Sequence, residues 1–105
     1  MSLKINTQYL SDKDIWVVMV AGEIDIYTAN CLKETLINLI NERNTDIQIN
    51  CEELDYIDST GLGVLIGALK RLKQDNKNII ITKPKQNISK LLNITGLNKI
   101  FIIEG

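Results

Sequence analysis

Ile15-Trp16-Val17-Val18-Met19-Val20 is an unbroken apolar run rich in β-branched residues. Branched side chains have stiff χ1 torsions that suit a pleated surface. A short run without polar alternation reads as a central strand buried on both faces. Upstream, Lys4–Leu10 places Ile5, Thr7 and Tyr9 at alternate positions, the pattern of a half-exposed strand, and Ser11-Asp12-Lys13-Asp14 makes a polar turn between the two. Downstream, Gly22–Tyr27 closes the central strand and forms a loop carrying Glu23 and Asp25.

The rest of the chain alternates helix and strand signals. Thr28 can cap a helix running to Glu42, with Ala29, Leu32, Leu36, Leu39 and Ile40 along one stripe. Ile47–Cys51 is the next strand. An acidic, irregular stretch follows, in which Leu54 and Ile57 point inward between Glu52, Glu53, Asp55 and Asp58. A second helix runs from Ser59 to Asn76, its basic end (Lys70, Arg71, Lys73) suited to the negative pole of the helix dipole. Asn78–Thr82 is a strand stopped by Pro84. Ile88, Leu91 and Leu92 define a short helix with Gly96 at its C-terminal cap, and Ile100–Ile103 adds an edge strand. The order β-β-α-β-α-β-α-β predicts one α/β domain over residues 1–105. Its sheet should be mostly parallel, with four to five strands, an antiparallel N-terminal edge strand and three to four helices. Binding sites in such sheets gather at the carboxyl ends of the strands, which here means the loops Glu23–Tyr27 and Glu52–Ser59.

Composition narrows the function. A net charge of -1 argues against a nucleic-acid binder, which needs a basic face to neutralise phosphates. No apolar run approaches the roughly 18 residues of a transmembrane helix, and the N-terminus lacks a signal peptide's apolar core, so a cytoplasmic protein without membrane contact is expected. The chain has no histidine, and with it go the usual general base and the commonest metal ligand. Cys31 and Cys51 are too few and too unpatterned for a disulfide scaffold or a zinc site, and read as reduced core or boundary residues; Trp16 reads as core. No cofactor and no metal site is expected.

Asp58-Ser59-Thr60-Gly61-Leu62-Gly63 sits where a loop turns into a helix. A serine in the first helical turn exposes its hydroxyl near backbone N–H groups that lack helical partners. Those groups and the positive pole of the dipole favour an added phosphate, which brings about -1.5 to -2 charges. The plain alternative is that Asp58, Ser59 and Thr60 only cap the helix. Gly61, Gly63 and Gly67 each weaken a helix by roughly 1 kcal/mol relative to alanine, so something approaches closely there. For Gly67 the sheet beneath is the natural candidate. For Gly61 and Gly63 an incoming partner is equally reasonable.

Residues 58–67, from Asp58-Ser59-Thr60-Gly61-Leu62-Gly63 to Gly67, resemble the signature of the STAS-domain anti-sigma factor antagonists. Gly22-Glu23-Ile24-Asp25-Ile26-Tyr27-Thr28-Ala29 and Leu91-Leu92-Asn93-Ile94-Thr95-Gly96-Leu97 are similar to two further segments of that family. The Tyr27-Thr28-Ala29 variant looks more like its general-stress branch than its sporulation branch. The resemblance implies a partner switch. The unmodified antagonist binds an anti-sigma factor that is itself a serine kinase and so frees the sigma factor. Phosphorylation on the serine matching Ser59 ends binding, and a PP2C-type phosphatase restores it. It also implies a partner-binding surface of Asp25, Tyr27, Thr28, Asp58, Ser59, Thr60, Gly61, Leu62 and Gly63, with Asp25 near the modified serine. A monomer is expected for the free protein, which would be no enzyme.

Three rivals remain. A STAS module that scaffolds a transporter or signalling complex without phosphorylation shares the fold. Gly61-x-Gly63-x-x-x-Gly67 has a superficial likeness to a dinucleotide fingerprint, but eight loop-like residues, Glu52–Ser59, separate it from the strand, whereas the fingerprint starts directly after one. Ser59 as a hydrolytic nucleophile would need a base; without histidine only a lysine could serve, and nothing favours the nearest candidates, Lys83 and Lys85 on another loop. Glu52 and Glu53 read as solvated surface, and a two-carboxylate metal site with Asp25 is a weak reading.

Overall fold

The computed structural model describes residues 2–105. A five-stranded sheet has the order β1-β2-β3-β4-β5, with β1 (Leu3–Leu10), β2 (Ile15–Ile24), β3 (Asp46–Ile57), β4 (Ile79–Thr82) and β5 (Ile102–Glu104). The β1–β2 hairpin is antiparallel and every other pairing is parallel, as expected. The helices are α1 (Ala29–Glu42), α2 (Ser59–Lys73) and α3 (Gln86–Thr95), with a 3-10 turn at Leu97–Lys99.

The core lies on one face of the sheet. Trp16, Val18, Val20, Ile47, Ile49, Ile79 and Ile81 meet Leu32, Leu36, Leu65, Leu69 and Leu72 from α1 and α2, and Ile88 and Leu92 from α3. The alternate residues tell the opposite story: Val17, Gln48, Asn50 and Ile80 are only half-buried, and Met19 is 48% exposed. The expectation that β2 is buried on both faces is therefore corrected. An apolar run does not show on which face the helices dock, and here all three share one core cluster. Trp16 is core as expected, and its Nε1 donates to the Arg43 carbonyl at 3.1 Å.

Both central strands run further than the sequence pattern indicates. β2 includes Gly22–Ile24 rather than ending in a loop there, and β3 continues through the acidic stretch to Ile57. Two register shifts explain the misreading. Met19 pairs with Asn50 but Ala21 with Glu53, and Gly22 pairs with Leu54 but Glu23 with Tyr56, leaving Asp55 as an extra residue. A bulge resets the in–out parity of a strand, so Leu54 and Ile57, three apart, both face the core. Gly22 makes the bend possible: its φ is +110°, and a Cβ there would lie 2.3 Å from the Ser2 carbonyl oxygen that accepts from Glu23 N–H.

Smaller corrections follow the same local rules. α2 ends at Lys73 instead of Asn76, and Asn76 has a positive φ of 59°. β5 starts at Ile102, because Ile100 is held at the end of the 3-10 turn by its N–H to Leu97 O. Gly96 ends α3 in the left-handed region at φ 75°, as expected of it. Cys51 is buried, whereas Cys31 is exposed on α1 and is not a core residue.

Candidate functional site

Asp58 is the single residue between β3 and α2, and it joins the two loops of interest. Its backbone N–H donates to Ile24 O at 3.1 Å, extending the β2–β3 ladder by one bond. Its Oδ1 accepts from Thr60 N–H at 3.0 Å and Gly61 N–H at 3.1 Å, which makes it the N-cap of α2. The ladder thus sets the β2–α1 loop beside the start of α2. Ser59 is then the first helical residue, exposed, with its hydroxyl in no hydrogen bond among the described residues.

The cap changes the expected electrostatics. Of the first-turn N–H groups, those of Thr60 and Gly61 are taken by the Asp58 carboxylate, and that of Leu62 by the Asp58 carbonyl at 3.0 Å. An anion on Ser59 is left with the Ser59 N–H and the dipole, and has the Asp58 carboxylate for a neighbour.

Asp25 has an unanticipated setting. The residue is 4% exposed, and its Oδ1 accepts from Tyr27 N–H at 2.9 Å and Thr28 N–H at 3.1 Å. The Thr28 hydroxyl accepts from Asp25 N–H and donates to the Glu23 carbonyl, both at 2.9 Å. Thr28 therefore spends its side chain on the loop, and the expected side-chain cap of α1 is not made. This knot leaves Ile26 and Tyr27 at the loop tip, 68% and 86% exposed. Exposed apolar side chains on a pinned loop offer a partner contact at low entropic cost.

The remaining predicted residues separate into three places. Ser59 and Leu62 line a groove of about 450 Å³ between α2 and α3, completed by Tyr56, Ile88, Leu91 and Thr95. Thr60 and Gly63 line a second groove, of about 340 Å³, between α1 and α2. Gly61 faces neither: a Cβ there would lie 2.5 Å from Ile24 Cγ2 and 2.7 Å from Ile57 Cγ1, so its absence lets α2 sit on its own strands. Gly67 reverses the expectation, for a Cβ at Gly63 or Gly67 meets nothing within 4 Å.

Sequence reasoning did not pick out Ile26, Tyr56 (45% exposed), Leu91 or Ile94 (71% exposed). Ile94 carried a signal, since α3 already had its inward stripe in Ile88 and Leu92 and did not need another isoleucine. Asp55 pairs with Lys85, which holds that ammonium's pKa above the ordinary lysine value through the hydrogen bond. No cluster of three metal-ligating side chains occurs among the described residues. The glycines lie within α2 rather than in the turn before it, which is what now separates them from a dinucleotide fingerprint, since Glu52–Ile57 is strand and only Asp58 lies between it and the helix.

Residues 6–104 match the STAS domain. The chain belongs to the STAS-domain family. An anti-sigma-B factor antagonist of Staphylococcus epidermidis is 38% identical over 95 residues, 90% of this chain and 88% of the relative. A solved Thermotoga maritima structure assigned as an anti-sigma factor antagonist matches with a TM-score of 0.88 at 22% identity, covering 96% of this chain and 86% of its own. The phosphorylated form of the Bacillus cell fate determinant SpoIIAA matches with a TM-score of 0.74 at 21% identity, over 95% of this chain and 90% of that one. At these identities the two structures speak for the fold alone. The STAS sheet and its three helices are thus shared, and among the described residues no helix is long and apolar enough to cross a membrane.

Proposed function

We propose that this chain is an anti-sigma factor antagonist governed by phosphorylation of Ser59. In the unmodified state it binds an anti-sigma factor that is a serine kinase, and the sigma factor is freed. The kinase uses ATP to modify Ser59 and lets go, and a PP2C-type phosphatase returns the hydroxyl. The chain acts by binding and catalyses no reaction itself. One observation carries the reading: Ser59 is exposed at the start of α2, on the wall of an apolar groove, with its hydroxyl in no hydrogen bond among the described residues. The name of the Staphylococcus relative and the existence of a phosphorylated SpoIIAA support it.

The docking surface in this reading is the Ile26–Tyr27 tip, Asp58, Ser59, Leu62, and the groove wall of Tyr56 and Leu91. Gly61 and the Asp25–Thr28 knot shape it from beneath. A thousandfold loss of affinity needs only about 4 kcal/mol. Asp25 is too deeply buried and Asp55 is engaged by Lys85, so of these three carboxylates Asp58 is the one that supplies like charge beside the phosphate. The rest of the repulsion comes from placing a hydrated dianion against an apolar groove and the partner's own surface. Incubation with the anti-sigma factor of its own genome and ATP, with the phosphate mapped by mass spectrometry, tests the assignment. Label on Ser59, absent from Ser59→Ala, is expected; label elsewhere, or none, contradicts it.

A further inference from the structure

The groove between α1 and α2 is not accounted for by the Ser59 switch. Leu36, Ile37, Val64 and Ala68 form its apolar walls, and Gly63 and Gly67 leave it open. Each glycine weakens α2 by roughly 1 kcal/mol against alanine, and no neighbouring atom of the fold requires either one. Lys33, on α1, and Arg71, in the last turn of α2, also line it and bring one cation from each of the two helices. Both are exposed, neither forms an ion pair among the described residues, and no acidic residue lines the groove. Arg71 has a local reason in the dipole at the end of α2; Lys33, in the second turn of α1, has none.

We propose that this groove is a docking site for an amphipathic helix of a protein partner, one with an apolar stripe flanked by acidic residues. The stripe lies over Gly63 and Gly67, where missing side chains let a backbone approach, and the acids reach Lys33 and Arg71. Charge complementarity selects this occupant: a basic or neutral helix would leave two cations facing the wrong partner. The inference does not depend on modification of Ser59, which lines the other groove.

The test titrates two synthetic helices into the isotope-labelled chain and follows backbone amides by NMR. Both share one leucine stripe and are roughly 14 residues long; one has glutamates at both ends, the other lysines. The acidic helix should shift amides around Ile37, Gly63 and Gly67 saturably and bind about tenfold or more tighter than the basic one. Gly67→Leu, which fills open space and should fold at least as well, should abolish the shifts. Lys33→Glu with Arg71→Glu should reverse the preference between helices. Equal binding of both helices, no binding, shifts confined to the Tyr56–Leu91 groove, or self-association of the chain through these residues would each overturn the proposal.

Discussion

The three glycines of α2 should respond to the same substitution with opposite signs. At Gly63 and Gly67 an added Cβ meets nothing within 4 Å, so alanine should return the helix-propensity difference, about 0.8–1.0 kcal/mol at each site. At Gly61 it would stand 2.5 Å from Ile24 Cγ2, 2.7 Å from Ile57 Cγ1 and 3.1 Å from Ile57 Cδ1. Both isoleucines are β-branched and buried, and a Cγ2 next to the main chain cannot swing away. Overpacking of this kind costs about 1–3 kcal/mol, so Gly61→Ala should lose up to about 2 kcal/mol after its propensity gain. With an unfolding entropy of roughly 2.1 cal/mol/K per residue, 1 kcal/mol moves the midpoint of this 105-residue chain by about 4–5 °C. Calorimetry of the three alanine variants should give two rises of that size and one fall. A fall at Gly67 would mean that the groove is closed by the fold itself, and the steric reasoning would fail.

Two further outcomes follow from the same geometry. Asp58→Ala removes the acceptor of Thr60 and Gly61 N–H, and urea unfolding should show a loss of about 1 kcal/mol; an unchanged midpoint would mean the cap contributes nothing. Of the two thiols, exposed Cys31 should react with a disulfide reagent in the native protein and buried Cys51 only after denaturation. Burial pushes the Cys51 thiol from 9.0 up to about 12. Above pH 9.0 the unfolded chain therefore releases a proton that the folded chain keeps. Stability should fall as pH rises from there toward 12, by up to about 1.4 kcal/mol per pH unit. In the Cys51→Ala control the fall should be shallower, leaving only what the raised pKa values of Lys85 and Tyr9 contribute.

The fold was largely legible because its strongest signals are local. The apolar run at Ile15–Val20, the stripe of α1, the cap at Asp58 and the stop at Gly96 each act within a few residues. Where β2 and β3 end was not legible, because bulges are fixed between strands: Asp55 is extra only relative to Gly22 and Glu23 across the ladder. An acidic stretch with apolar residues three apart looks like a loop until that pairing is known. The same holds for the site. Ser59 announced itself through helix-start chemistry, but the direction each neighbour faces depends on α1 and α3. So Gly61 turned out to be internal, Thr60 and Gly63 belong to another groove, and Asp25, a carboxylate in a loop, is buried as a turn-holding acceptor.

The affinity of the anti-sigma factor for the two forms of this chain, unmodified and phosphorylated at Ser59, measured by calorimetry in one buffer, bears most directly on the switch. The account predicts that phosphorylation weakens binding by about a hundredfold to a thousandfold, equivalent to about 3–4 kcal/mol. Equal dissociation constants for the two forms would contradict it.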